Sequence, residues 1–170
     1  MSIRKIITQE DEILKKTSHP VTSFDHKLHV LLNDMADTLR DADGLGLAAV
    51  QVGILRRAVI VINDEGELIE LVNPVIVETS GEQDGLEGCL SVPGYYGEVK
   101  RPMHVKVRAQ DRNGNFFEVE DDGTTARCFC HEIEHLDGHL FTEKATAMYT
   151  VEELEEAEKE KEKEKKKKEG

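Results

Sequence analysis

Residues 128–139, CFCHEIEHLDGH, leave few choices of local structure. Apolar and chelating side chains recur there at helical spacing. On a helix of about 100° per residue with His131 at 0°, His135 falls at about 40°, Cys128 at about 60°, His139 at about 80° and Glu132 at about 100°. Ala126, Phe129, Cys130 and Ile133 fall between roughly 160° and 260°. One face therefore packs on a core, and the other presents two imidazoles one turn apart with a carboxylate beside them. Two His at i and i+4 can share a metal ion, and Glu132 can reach a water on that ion. A helix with satisfied surface histidines is the plainer alternative.

Two histidines do not complete a metal site. The longer pattern H-E-x-x-H-x-x-G-x-x-H needs His at position 141, which is Phe141 here. His139 follows Gly138, where the helix should stop, so its direction is open. Cys128 lies roughly 10.5 Å from His135 along the axis, which is far for a short side chain. Cys130 points away. A third ligand has to come from elsewhere, and Cys89, in the glycine-flanked turn EGCLSVPG, is the remaining cysteine.

The rest of the chain frames this helix. Asp25 can cap an earlier helix whose stripe is Leu28, Leu31, Leu32, Met35 and Leu39, ending near Gly44. Residues 58–63, 68–79, 104–111 and 116–120 are rich in β-branched and aromatic types and read as strands, the last two forming a hairpin around Asn113-Gly114. The order helix, strands, helix has no β-α-β alternation. It points to an α+β fold: antiparallel or mixed strands packed around a central helix carrying H-E-x-x-H, with an N-terminal helix. Residues 152–169 hold nine Glu and seven Lys with almost no apolar residue, a charged helical tail that frays into solvent. The expected division is a catalytic domain over 1–150 and a tail over 151–170.

At 170 residues one domain is expected, and the net charge of −13 argues against broad nucleic-acid binding. No apolar run reaches the ~18 residues of a membrane span, and the first residues do not read as a targeting peptide. A cytoplasmic monomer is the expectation, with no membrane and no specific DNA partner. Three cysteines are too few for a disulfide framework and read better as metal or catalytic candidates.

GLGLAAVQVG (44–53), EGCLSVPG (87–94) and HEIEHLDG (131–138) resemble, in order and spacing, the three motifs of bacterial peptide deformylase, and the likeness runs from about residue 4 to about 148. The resemblance implies removal of the formyl group from the N-terminal methionine of nascent peptides. It implies Cys89, His131 and His135 as ligands of Fe2+, which Zn2+, Ni2+ or Co2+ can replace, with a water in the fourth position. A thiolate with two imidazoles suits such ions and not calcium or magnesium. An activated water would attack the formyl carbon, with Glu132 taking its proton and handing it to the leaving amine. By the same resemblance the Gln51 amide and the Leu90 backbone N–H stabilise the oxyanion. Gly44, Leu45, Gly46, Glu87, Gly88 and Cys128 stand on the substrate side; Leu45 and Cys128 are the expected methionine-pocket residues, and Glu87 is expected to brace the Cys89 loop or Arg101.

Three positions depart from the family pattern. Cys130 stands where many members have Gln, Glu134 where Asp is usual, and Tyr96 where some place an Arg that touches the substrate. In some members a C-terminal helix contacts the ribosome, and Lys165–Lys168 could do the same through phosphates, a solvated tail being the other reading. Two other functions use the same residues. One is a different H-E-x-x-H metallopeptidase. The other is a non-catalytic protein stabilised by zinc on Cys128, Cys130, His131 and His135.

Overall fold

The computed structural model describes residues 2–169. Helix α1 runs His26–Ala42, and Asp25 Oδ1 accepts a hydrogen bond from the Leu28 N–H at its start. The left-handed residue that ends it is Asp43 (φ 55°), one position before the expected Gly44. A short Asp side chain tolerates that conformation. Strands β1 (Gly46–Ala48), β2 (Ala58–Ile62) and β3 (Leu68–Ser80) follow, then β4 (Gln83–Cys89) and β5 (Val92–Arg101). Strands β6 (His104–Gln110) and β7 (Phe116–Asp122) precede helix α2 (Gly123–Leu136); β8 (Ala147–Thr150) and α3 (Val151–Glu169) complete the chain.

The strands form a five-stranded sheet, β1-β2-β3-β6-β7, and a three-stranded sheet, β4-β5-β8. Every pair of neighbours is antiparallel, the first of the two expected arrangements; one isolated bridge, His19 to Arg56, is parallel. Strand β2 shows how the core divides. Val59 and Val61 pack with Phe129, Ile133 and Leu136 of α2. Ala58 and Ile60, on the other face, pack with Leu32, Met35 and Leu39 of α1. The sheet is thus covered by a helix on both sides at this end, which is why β2 reads as a continuous apolar run.

Helix α2 lies against β1, β2, β6 and β7. It stops where Gly138 adopts φ 80°, and a side chain there would collide with the Lys15 carbonyl oxygen. Side chains of α2 reach the small sheet through Arg127 and His131 to Glu87, Arg127 to the Val99 carbonyl, and Glu134 to Arg101. No helix among the described residues is long and apolar enough to cross a membrane. Helix α3 buries none of its side chains.

Candidate metal centre and its cavity

Helix α2 and the end of β4 bring together three atoms that could hold a metal ion. Cys89 Sγ lies 3.4 Å from His135 Nε2, and that nitrogen lies 3.2 Å from His131 Nε2. All three atoms fall within 4.8 Å of one another. Four-coordinate ions with bonds of about 2.0–2.3 Å to N and S hold such atoms about 3.3–3.6 Å apart, so the set fits one ion. The imidazole face of α2 is closed to solvent, against the alternative of surface histidines: His131, Glu132 and His135 are all buried. Neither Cys128 nor Cys130 belongs to the group, so the closed four-ligand zinc set is not assembled. Phe141, where the longer histidine pattern needs its third ligand, instead stacks on the His131 ring at 5.9 Å. His139 is exposed and bonds Glu143.

The ligands are held from behind. His131 Nδ1 donates to Glu87 Oε1 at 2.8 Å, which leaves Nε2 as the lone-pair nitrogen. Glu87 in turn accepts two bonds from Arg101, at 2.7 and 2.9 Å, and one from Arg127 Nη1 at 2.7 Å. Burial would push the Glu87 carboxyl up, but the Arg101 and His131 bonds and charges take it down to about 2. Arg101 also pairs with Glu134, which reaches Lys144 at 2.7 Å. Sequence reasoning gave Glu87 and Arg101 to one another but missed Arg127. Its Nη1 also donates to the Val99 carbonyl at 2.9 Å.

Gln51 is buried, and its amide is oriented at both ends. Its Oε1 accepts from the Ala48 N–H at 2.9 Å, which turns Nε2 toward Cys89 Sγ (3.5 Å) and Ser91 Oγ (3.1 Å). Ser91, fully buried, was also missed; its only sequence signal is its place two residues after Cys89. Glu132 sits against Gly46. A Cβ on Gly46 would lie 2.5 Å from Glu132 Oε2 and 2.9 Å from its Cδ, so only glycine admits the carboxylate there. Glu132 Oε1 is buried without a protein partner. Burial pushes this carboxyl up to about 7, against the lowering charge of His131.

A cavity of about 420 Å³ opens onto these groups. Gly44, Leu45, Gly46 and Gln51 line one side; Glu87, Gly88, Cys89 and Leu90 line another; Cys128, His131 and Glu132 come from α2. Every residue expected at the site borders this space except His135, which stands behind it with no exposed surface. Burial, with the charges of Glu132 and Glu87, pushes the Cys128 thiol up to about 12, so it serves as an apolar wall.

Residues 3–150 match the family model described as polypeptide deformylase. The chain is 54% identical over 156 residues to a peptide deformylase of Caldicellulosiruptor bescii, covering 92% of this chain and 93% of that one. It is 51% identical to peptide deformylase 1 of Bacillus subtilis, covering 93% and 99%. A crystal structure of a peptide deformylase from Legionella pneumophila superposes with a TM-score of 0.81 at 42% identity, covering 98% of each chain.

Proposed function

Since this chain belongs to the peptide deformylase family and removes the formyl group from the N-terminal methionine of newly synthesised proteins, we propose that Cys89, His131 and His135 hold a metal ion and that Glu132 moves the proton this hydrolysis requires. The convergence of one thiol sulfur and two imidazole nitrogens beside a buried carboxylate carries the reading.

A bound ion supplies Lewis acidity, which makes a water acidic near neutral pH and polarises a carbonyl. The other steps belong to side chains of this chain. Glu132 accepts the proton of the attacking water as the bond to the formyl carbon forms. It returns that proton to the amine nitrogen as the C–N bond breaks, so formate and a free N-terminus leave. The carboxyl's rise to about 7 suits both directions of transfer at neutral pH. In this reading the Gln51 amide, whose Nε2 already lies beside Cys89 and Ser91, and the Leu90 backbone N–H donate to the carbonyl oxygen as negative charge develops on it. Leu45 and Cys128 supply apolar walls for the methionine side chain, and Gly44, Gly46 and Gly88 border the same space on the substrate side.

Fe2+ is our reading of the natural ion, with Zn2+, Ni2+ or Co2+ able to replace it. Loss of activity in air, slowed by nickel substitution, checks that assignment. Residues 1–150 form the catalytic unit of a cytoplasmic monomer, and 151–170 the appended charged tail. A ribosome contact would lie at Lys165–Lys168, and unchanged co-sedimentation after deleting residues 152–170 removes it.

The test of the whole reading is formate release from a short formyl-methionyl peptide, with a Glu132→Ala control. Formate from the parent protein and almost none from the control supports it. No formate from folded, metal-loaded protein sinks it, and cleavage of unformylated internal bonds would favour a peptidase.

A further inference from the structure

Gln51 and Cys89 stand side by side at the site but reach it on different sheets. Strand β1, which leads into the short 3-10 helix Ala49–Val52 that carries Gln51, belongs to the large sheet, and β4, which ends at Cys89, to the small one. No strand ladder sets one against the other. The N-terminal segment spans the gap from behind. The Ile7 N–H donates to the Gln51 carbonyl at 2.9 Å, and the Gln9 N–H donates to the Ser91 carbonyl at 2.8 Å.

This segment is extended and anchored at both ends. Ile6 packs into the α1 half of the core and Ile7 into the α2 half, as successive residues of an extended chain do. Before them, Arg4 pairs with Asp34 at 2.9 Å and its N–H donates to Thr38 Oγ1, both on α1. After them, the Asp11 N–H closes a turn on the Thr8 carbonyl at 2.9 Å. Asp11 then caps the 3-10 helix Glu12–Lys15, whose Leu14 is buried with α2.

Gln51 and Ser91 also meet through their side chains. Gln51 Nε2 donates to Ser91 Oγ at 3.1 Å, which uses one of its two hydrogens. Because the Ala48 N–H fixes Oε1, the direction of the second hydrogen follows from where Ser91 stands. Ile7, Gln9 and Ser91 do not border the cavity, so their effect on the reaction passes through Gln51.

We infer that residues 7–9 are a strap that positions Gln51: by holding the Gln51 and Ser91 carbonyls at a set spacing, it keeps Ser91 Oγ where it orients the Gln51 amide. The inference rests on the reading of Gln51 as a donor to the developing oxyanion. Ile7, Gln9 and Ser91 are then positioning residues, and the precision of the site depends on a segment outside all three of the motifs that compose it.

The test measures kcat and KM for formate release from a formyl-Met peptide, with metal content, in Gln9→Pro against Gln9→Ala, each with and without Gln51→Ala. Proline removes the residue 9 N–H and alanine keeps it; residue 9 is the first central position of the turn over residues 8–11, where proline's fixed φ is ordinary. Gln9→Pro should lower kcat by about tenfold relative to Gln9→Ala, with KM and metal content changed by less than about twofold. In the Gln51→Ala background the same two variants should differ by less than about twofold, because the group being positioned is gone. Ser91→Ala, which removes only the hydroxyl, should show the same dependence on Gln51. Since the strap acts through Ser91, that variant decides the matter if Gln9→Pro does not fold. Equal kcat in Gln9→Pro and Gln9→Ala, no loss in Ser91→Ala, or an equal loss in both backgrounds would overturn the strap and leave the deformylase reading intact. A Gln51→Ala protein as fast as the parent would overturn the role of Gln51 and the strap with it. No formate from the parent would overturn the whole reading.

Discussion

Gly46 and Glu132 fit together so closely that a single methyl group at position 46 would displace the carboxylate. Gly46→Ala would drive its Cβ into the Glu132 carboxylate, and misplacing a catalytic group by about 1 Å costs on the order of 10²-fold in rate. We expect kcat to fall by about that factor while the thermal midpoint moves little; unchanged kcat would show that Glu132 need not stand there. Glu87 carries a different load. Glu87→Ala leaves Arg127 buried without a carboxylate and Arg101 with Glu134 alone, and breaking a buried pair typically costs about 3–5 kcal/mol. Calorimetry should show a midpoint lower by roughly 10 °C. Because its folded-state pKa is depressed to about 2, the stability Glu87 contributes is present above its ordinary value of 4.5 and is lost as pH falls toward 2. Spacing and resemblance pointed to Cys89, His131 and His135, whose ligand atoms do converge, and to Glu132 beside them. They did not give Ser91 or Arg127, because a buried Ser or Arg looks like any surface Ser or Arg until its partners are in place.

The elements differ in how much of themselves the sequence displays. Strand β2 and helices α1 and α2 bury apolar side chains at the period of their own geometry, so their pattern is plain. Strands β4 and β5 escaped notice because their inward positions are occupied by Glu87, Gly97, Val99 and Arg101. With Val92, the buried positions of the two strands are two valines, a glycine, a glutamate and an arginine, so alternation in burial has little counterpart in hydropathy. The small sheet carries an ion-pair network, and that network also holds His131 of the candidate metal group. At the edge pair β6–β7, His104 lies between Asp122 and Glu120, whose hydrogen bonds and charges raise its pKa above 6.5. What this pairing contributes to stability is fully present below pH 6.5 and is lost as pH rises through the raised value. NMR should find His104 titrating above an unperturbed histidine, and His104→Gln should flatten that part of the stability profile; an ordinary midpoint would contradict it.

The whole molecule separates a packed body from a tail that buries nothing. Helix α3 is capped where Thr150 Oγ1 accepts from the Glu153 N–H, and its acids come first and its lysines last, in line with the helix dipole. Deleting residues 155–170 keeps Val151 and should shift the unfolding midpoint by no more than about 2 °C. A larger drop would mean that the tail packs on the body. The central claim is that a body of two sheets around α2 brings Cys89 to His131 and His135. Metal content and formate release, measured together for the parent protein and for Cys89→Ala, Cys130→Ala and Glu132→Ala, test it most directly. The account predicts one ion per chain and activity in the parent and in Cys130→Ala. It predicts neither in Cys89→Ala, and a bound ion with activity lower by at least about 10² in Glu132→Ala. A Cys89→Ala protein that keeps its ion and its activity would contradict it.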